Sequence, residues 1–248
     1  IRDSIHIEDK IKENKMTVNA FDAIEFADNP DPRCPVVVTI DCSDSMDMVR
    51  EGEDRTPLEA VNGALDTLVS AINSDPLSKR RVELSFVPYG THVAEPTPFV
   101  TIENILNGGA PLPDLKKMGV TSTGAALTKA IDAIEDRKQI YKSQGVPYYQ
   151  GILLLISDGL STDDLSSASQ RLKELEAAKK ISFFAVGVQG ADIDQLSQIG
   201  DPNRVALPLS GTKFDELFIW LSQSAASVSA STPGDKVAVP SPAGWAEI

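Results

Sequence analysis

The stretch Pro35 to Met46, PVVVTIDCSDSM, constrains the fold of this chain more than any other. Val36, Val37, Val38, Thr39 and Ile40 are apolar or β-branched, with no strongly polar residue alternating between them. Such a run reads as a strand covered on both faces, which occurs in sheets sandwiched between helices. It ends in Asp41-x-Ser43-x-Ser45, a carboxylate and two hydroxyls at a strand's carboxyl end. In α/β proteins that end is where ligands bind.

The rest of the chain supplies the matching elements. Thr56 caps a helix, Pro57 fits its first position, and Glu59 completes a Thr-x-x-Glu capping box. Leu58, Val61, Leu65, Leu68, Val69 and Ile72 fall on one face of that helix. Val82, Leu84 and Phe86 mark a second strand, and His92 to Val100, with two prolines, reads as an edge strand or irregular crossing. Gly119 to Gly124 (GVTSTG) is a loop that opens a helix buried through Leu127, Ile131 and Ile134. A second continuous apolar run, Ile152 to Ile156, ends in Ser157-Asp158-Gly159.

Downstream, a helix is expected from about Asp163, a strand over Ile181–Val188, a short helix over Ile193–Ile199 and a last strand over Val205–Leu207. A final helix is expected from Thr212, with Phe214, Leu217, Phe218 and Leu221 on one side. Alternating strands and helices imply a doubly wound α/β fold: a mostly parallel, six-stranded, Rossmann-like sheet with helices on both faces. In the order 3-2-1-4-5-6 the strands ending at Asp41 and Asp158 are neighbours at the topological switch point. Residues 1–33 read as an N-terminal arm, 34–226 as the domain and 227–248 as an extended, Pro-containing tail. Met16 is a candidate natural start, with residues 1–15 as a non-native leader; intact mass of the native protein decides this.

Asp41, Ser43, Ser45, Thr121 and Asp158 are all hard oxygen donors on one rim, a set that suits Mg²⁺. Softer metals recruit imidazole or thiolate. His6 and His92 lie in no motif, and Cys42 falls between the alternating ligands, pointing away from them. With 23 basic and 36 acidic residues the net charge is −13, which disfavours nucleic acid and anionic membranes as partners. No apolar run approaches the ~20 residues of a membrane span, and the charged first fifteen residues do not resemble a signal peptide. Cys34 and Cys42 flank an extended strand, which separates them by roughly 20 Å or more, too far for a disulfide. Two free thiols favour a reducing, cytoplasmic setting.

DCSDSM, GVTSTG and LLLISDG resemble, in order and spacing, the three parts of the metal-ion-dependent adhesion site (MIDAS) of von Willebrand factor type A (VWA) domains. The resemblance covers roughly Cys34 to Ala226. It implies that Ser43 and Ser45 bind the metal directly, Thr121 directly or through water, and Asp41 and Asp158 through water. Mg²⁺ is then the expected ion, with Mn²⁺ and Ca²⁺ as alternatives, and an open coordination position accepts a carboxylate from a partner protein. Asp44 departs from the pattern, since many members carry glycine there.

A narrower resemblance rests on DAIEFADNPDPRCP, EAVNGALDTLVSAI, SDGLSTDD and PSPAGWA. These segments are similar to the small cytoplasmic VWA proteins of bacterial tellurite-resistance operons (TerY-like). That group implies a role in stress response or phage defence, and operon-encoded partners such as a protein kinase or a phosphatase.

Several residues have plainer readings. Thr123 fits helix capping, and Asp163 and Asp164 fit a helix's first turn. Asp47, Glu51, Glu53 and Asp54 fit a solvated loop, and Trp245 fits packing. The competing classes are a phosphatase of the haloacid-dehalogenase type and a metal-free scaffold with a vestigial site. The phosphatase chemistry needs Asp-x-Asp, with the second carboxylate moving a proton. Ser43 stands there, so the reading is a binding module rather than an enzyme.

Overall fold

A computed structural model of the chain describes residues 26–159, 161–232 and 237–246. The Met16 start and the 1–15 leader lie outside the described residues. The strands are β1 (Cys34–Asp41), β2 (Val82–Tyr89), β3 (Val100–Thr101), β4 (Gly151–Ser157), β5 (Ile181–Gly187) and β6 (Leu207–Pro208). They form one sheet in the order β3-β2-β1-β4-β5-β6. All neighbours are parallel except the short edge pair β2–β3. The fold expected from the alternation of elements is therefore the fold observed.

Every residue of β1 and of β4 is buried, because helices cover both faces. On one face Val36, Val38 and Ile40 pack with α1 (Pro57–Asn73) and, near the carboxyl terminus, the last helix, Phe214–Ser229. On the other, Val37, Leu153 and Leu155 pack beneath Leu127, Ile131 and Ile134 of the long helix Thr123–Ser143 and Leu172 of the helix Ser166–Ala177. In chain order these helices, with the short Ser78–Arg81, Ile102–Leu106 and Ile193–Ser197, are α1 to α7, so Thr123–Ser143 is α4, Ser166–Ala177 is α5, Ile193–Ser197 is α6 and Phe214–Ser229 is α7. The capping box at α1 is formed as expected, with Glu59 N donating to Thr56 Oγ1 at 3.1 Å and Thr56 N to Glu59 Oε2 at 2.9 Å.

Several boundaries differ from expectation. Helix α5 starts at Ser166, not Asp163, because the Asp163 carboxylate is engaged by another helix, as described below. Val205 is exposed, and the last strand is Leu207–Pro208. Thr212 precedes α7 without capping it; its hydroxyl donates instead to Glu53 Oε2 at 3.0 Å. Glu53 is therefore more than a solvated loop residue. Trp245 is buried against Trp220, ring centroids 5.3 Å apart, and Trp220 Nε1 donates to the Pro240 carbonyl at 2.8 Å.

Alternation along β2 conceals a second polar feature. Glu83 is fully buried and accepts from Arg33 Nε at 3.1 Å, Arg137 Nε at 2.6 Å and the Tyr141 hydroxyl at 2.6 Å. Glu83 pairs in register with Pro35, so this ionic cluster lies at the opposite end of β1 from Asp41. Among the described residues no helix is long and apolar enough to cross a membrane.

Candidate metal centre

β1 delivers Asp41 to the sheet's carboxyl edge as a fully buried residue. Two fixed donors orient its carboxylate: the backbone N–H of Ser43 on Oδ1 at 2.8 Å and the Ser157 hydroxyl on Oδ2 at 2.8 Å. Burial pushes the Asp41 carboxyl above the usual carboxylate range; the hydrogen bonds from Ser43 and Ser157 pull it back, and the charge of Asp158 pushes it up again. Two buried carboxylates at the ends of neighbouring strands favour a cation.

Beyond Asp41 the chain turns through a 3-10 segment, Asp44–Asp47, pinned by the buried Met46. The turn places Ser43 Oγ 3.1 Å from Ser45 Oγ, while Asp44 points to solvent, 3.9 Å from Lys117 Nζ. Among the described residues, positive φ outside glycine is confined to Lys179, so the loop does not demand glycine's backbone freedom at position 44. Cys42 faces the apolar core, as the alternation implied, and Cys34 and Cys42 are both free and buried.

β4 brings Asp158, 2 % exposed, beside the end of β1. The turn after it requires Gly159: φ is +85°, and a Cβ would sit 2.8 Å from the Asp192 carbonyl oxygen. Asp192 N in turn donates to the Asp158 carbonyl at 2.9 Å.

The third segment, 119–124, is locked to the other two by backbone hydrogen bonds. Met118 N donates to Cys42 O and Asp44 N to Gly119 O, each at 2.7 Å, and Thr162 N donates to the carbonyl of the buried Thr121 at 2.8 Å. Thr123 is buried, with its hydroxyl 3.4 Å from the Tyr89 hydroxyl, and makes no cap. The cap comes from Asp163, whose two carboxylate oxygens accept from Gly124 N at 2.9 Å and Ala125 N at 2.8 Å. Asp163 thus serves the helix-terminus role expected of it at α4 rather than at its own helix. Asp164 Oδ1 accepts from Ser166 N at 2.9 Å, at the start of α5.

All five sequence-predicted residues lie on this edge, carried by three loops that hydrogen-bond to one another. Two further residues, Ser157 and Arg50, had no part assigned from the sequence, and Asp163 was read as structural at its own helix only. Ser157 was visible only as the residue before Asp158. Arg50 was masked by its charged surroundings, yet one of its terminal nitrogens donates to Ser45 O at 3.0 Å and lies 3.7 Å from Asp158 Oδ2.

The donor set fits an oxygen-preferring divalent cation. Among the described residues no three of His, Cys, Asp and Glu gather as metal ligands. The site combines two carboxylates with hydroxyls, all of them hard oxygen donors. For the phosphatase alternative, the position two residues after Asp41 holds a hydroxyl turned to Ser45 and offers no proton carrier.

Comparison with known proteins agrees with the architecture. The family model described as von Willebrand factor type A domain matches residues 36–218, well over half of the chain. Among solved structures, the pilus adhesin SpaC from Lactobacillus rhamnosus GG superposes with a TM-score of 0.57 at 12% identity, covering 80% of this chain and 31% of that one. The PilB minor pilin from Streptococcus sanguinis gives 0.56 at 12% identity, over 82% and 64%. Proximal thread matrix protein 1 from the mussel byssus gives 0.52 at 18% identity, over 80% and 49%. These likenesses show the fold. Among curated proteins, the human collagen alpha-1(XX) chain is 34% identical over 89 residues, 36% of this chain and 6% of that protein. The chain spans only a small part of that relative, and less than two thirds of each of these solved structures.

Proposed function

The chain belongs to the von Willebrand factor type A domain family, and on that footing we propose that it is a protein-interaction module that captures a partner's carboxylate at a divalent metal. Domains of this family commonly mediate protein–protein interaction. Asp41, Ser43, Ser45, Thr121 and Asp158 are the residues that would hold the metal, with Mg²⁺ the ion of choice and Mn²⁺ and Ca²⁺ as alternatives. When bound, the ion supplies an electrophilic position that a carboxylate from another protein fills.

The observation that carries this reading is the fully buried Asp41 carboxylate, oriented by two donors and set beside Asp158 at the end of a neighbouring strand. Burying two like charges together is costly unless a cation joins them. With Ser43 and Ser45 as the direct contacts and the Asp41 and Asp158 carboxylates acting through water, the ion would keep enough positive character to attract an outside anion. The loops that carry these residues also expose apolar side chains: Met48 is 55%, Val49 58% and Val120 53% accessible. An apolar rim around a polar anchor suits a protein surface better than a small anion. The fold neighbour SpaC is itself a pilus adhesin.

The narrower assignment follows the resemblance of the four segments given above. The module serves a bacterial, cytoplasmic stress-response system of the tellurite-resistance type, with phage defence as a related role. Its partner is an operon-encoded protein, a kinase or a phosphatase among them, that offers an acidic residue. The test is capture of partners from native lysate with Mg²⁺ or with EDTA, using wild type and Asp41→Ala. Capture that needs both the metal and Asp41 supports the reading; capture indifferent to both points to a metal-free scaffold. Phosphate-ester turnover lost in Asp41→Ala would restore the enzyme.

A further inference from the structure

We propose that Arg50 is a built-in counter-ion of the metal centre, holding Asp158 when no metal is bound and giving way when a divalent cation enters. The proposal rests on the metal-site reading above and concerns what the site does without its ion.

The two carboxylates are almost completely buried, Asp41 at 0% and Asp158 at 2% exposure. Arg50 reaches into this environment from the loop that follows Ser45. The nitrogen that donates to Ser45 O at 3.0 Å lies 3.7 Å from Asp158 Oδ2. Arg50 therefore spans the ligand-bearing loop of β1 and the ligand-bearing end of β4. A 3.7 Å approach is outside hydrogen-bond range, so the attraction to Asp158 is Coulombic and lacks a directional bond.

Two features make the seat exchangeable. The Arg50 side chain is 23% exposed, so its charge can swing into water at small cost. Its Nε is buried and makes no hydrogen bond among the described residues, which leaves the guanidinium incompletely satisfied. The backbone, by contrast, is held in place. Glu53 N donates to Arg50 O at 3.1 Å, Gln189 Nε2 donates to Glu51 O at 3.2 Å, and Thr212 Oγ1 donates to Glu53 Oε2 at 3.0 Å. Movement is thus confined to the side chain. A single, partly hydrated positive charge at Asp158 gives way to a doubly charged ion that also takes up the Ser43 and Ser45 oxygens.

Calorimetric titration of the 248-residue chain with Mg²⁺ and with Mn²⁺, at constant ionic strength, tests this. Three proteins are compared: wild type, Arg50→Gln and Lys117→Gln. Lys117 lies 3.9 Å from Asp44 and 3.6 Å from Asp47 on the same rim, so its variant reports the effect of removing a positive charge through space alone. Arg50→Gln is expected to bind the metal about tenfold more tightly than wild type, and Lys117→Gln by less than about threefold. In EDTA, Arg50→Gln should melt below wild type, because the buried Asp158 then loses a positive charge 3.7 Å away. Metal binding in wild type that Arg50→Gln leaves unchanged or weakens would overturn the role of Arg50 while the metal site stands. Binding in neither protein would overturn both. If Arg50→Gln does not fold, Arg50→Lys, which keeps the charge on a narrower head, is expected to fall between the two; an affinity at or below wild type overturns the proposal.

Discussion

Ser157 donates its hydroxyl to Asp41 Oδ2 at 2.8 Å, joining the ends of two neighbouring strands 116 residues apart in sequence. The same hydroxyl oxygen accepts from Gly159 N at 3.1 Å, so one buried side chain orients the carboxylate and fastens the turn after Asp158. Ser157→Ala leaves both partners buried and short of a bond, a loss of about 1–3 kcal/mol. It also removes one of the interactions that holds the Asp41 carboxyl down against burial. The expected result is a lower urea midpoint together with weaker Mg²⁺ binding. An unchanged midpoint would show that Ser157 does not fasten the two strands.

The second polar centre predicts a different pattern. Glu83 is fully buried between Arg33, Arg137 and Tyr141, at the end of the sheet away from Asp41. Glu83→Gln removes the negative partner of two buried guanidinium groups, which costs about 3–5 kcal/mol. Chemical denaturation should show that loss while metal affinity in the folded protein stays at the wild-type value. A stable variant with impaired metal binding would contradict the separation of the two centres.

Lys138 gives a pH dependence of defined sign. Its ammonium is buried and donates to the Lys180 carbonyl; burial lowers its pKa from 10.5 to about 8, against the opposing pull of Glu135. The folded state thus gives up the proton before the unfolded state does. Between pH 8 and 10.5 the unfolded chain binds more protons, and this group's contribution to stability rises with pH. Cys34 and Cys42 act in the opposite sense. Burial pushes both up to about 12 from 9.0, so ionisation of the unfolded thiols favours unfolding above pH 9. Comparing wild type with Lys138→Met, both in a Cys34→Ala background because Cys34 and Lys138 interact electrostatically, cancels the remaining Cys42 contribution. From pH 7.5 to 10 wild type should gain about 1–3 kcal/mol relative to the variant. A difference that does not change with pH would show that Lys138 titrates normally.

The central fold was legible because its signals are local and strong. Val36–Ile40 and Ile152–Ile156 are uninterrupted apolar runs, and Thr56–Glu59 is a complete capping box. Topology then brings the strands ending at Asp41 and Asp158 together. What was hidden depends on contacts between distant segments. Asp163 was expected to start its own helix but caps α4, because Gly124 approaches so closely that a Cβ would lie 2.3 Å from the Asp164 carbonyl oxygen. Glu83 sits in a run whose alternation suits a half-solvated strand, yet β2 lies second from the edge and is covered on both faces. Arg50 lies in a charged loop, where nothing in the local pattern separates a solvated guanidinium from one turned inward.

The most direct test of the account is an Mg²⁺ titration of the 248-residue chain alongside Asp41→Ala and the milder Ser45→Ala, each checked for folding by circular dichroism. The account predicts saturable, EDTA-reversible binding of a single ion by wild type, absent in Asp41→Ala and weakened in Ser45→Ala. Folded wild type that binds no divalent ion, or an Asp41→Ala variant that binds as wild type does, would contradict it.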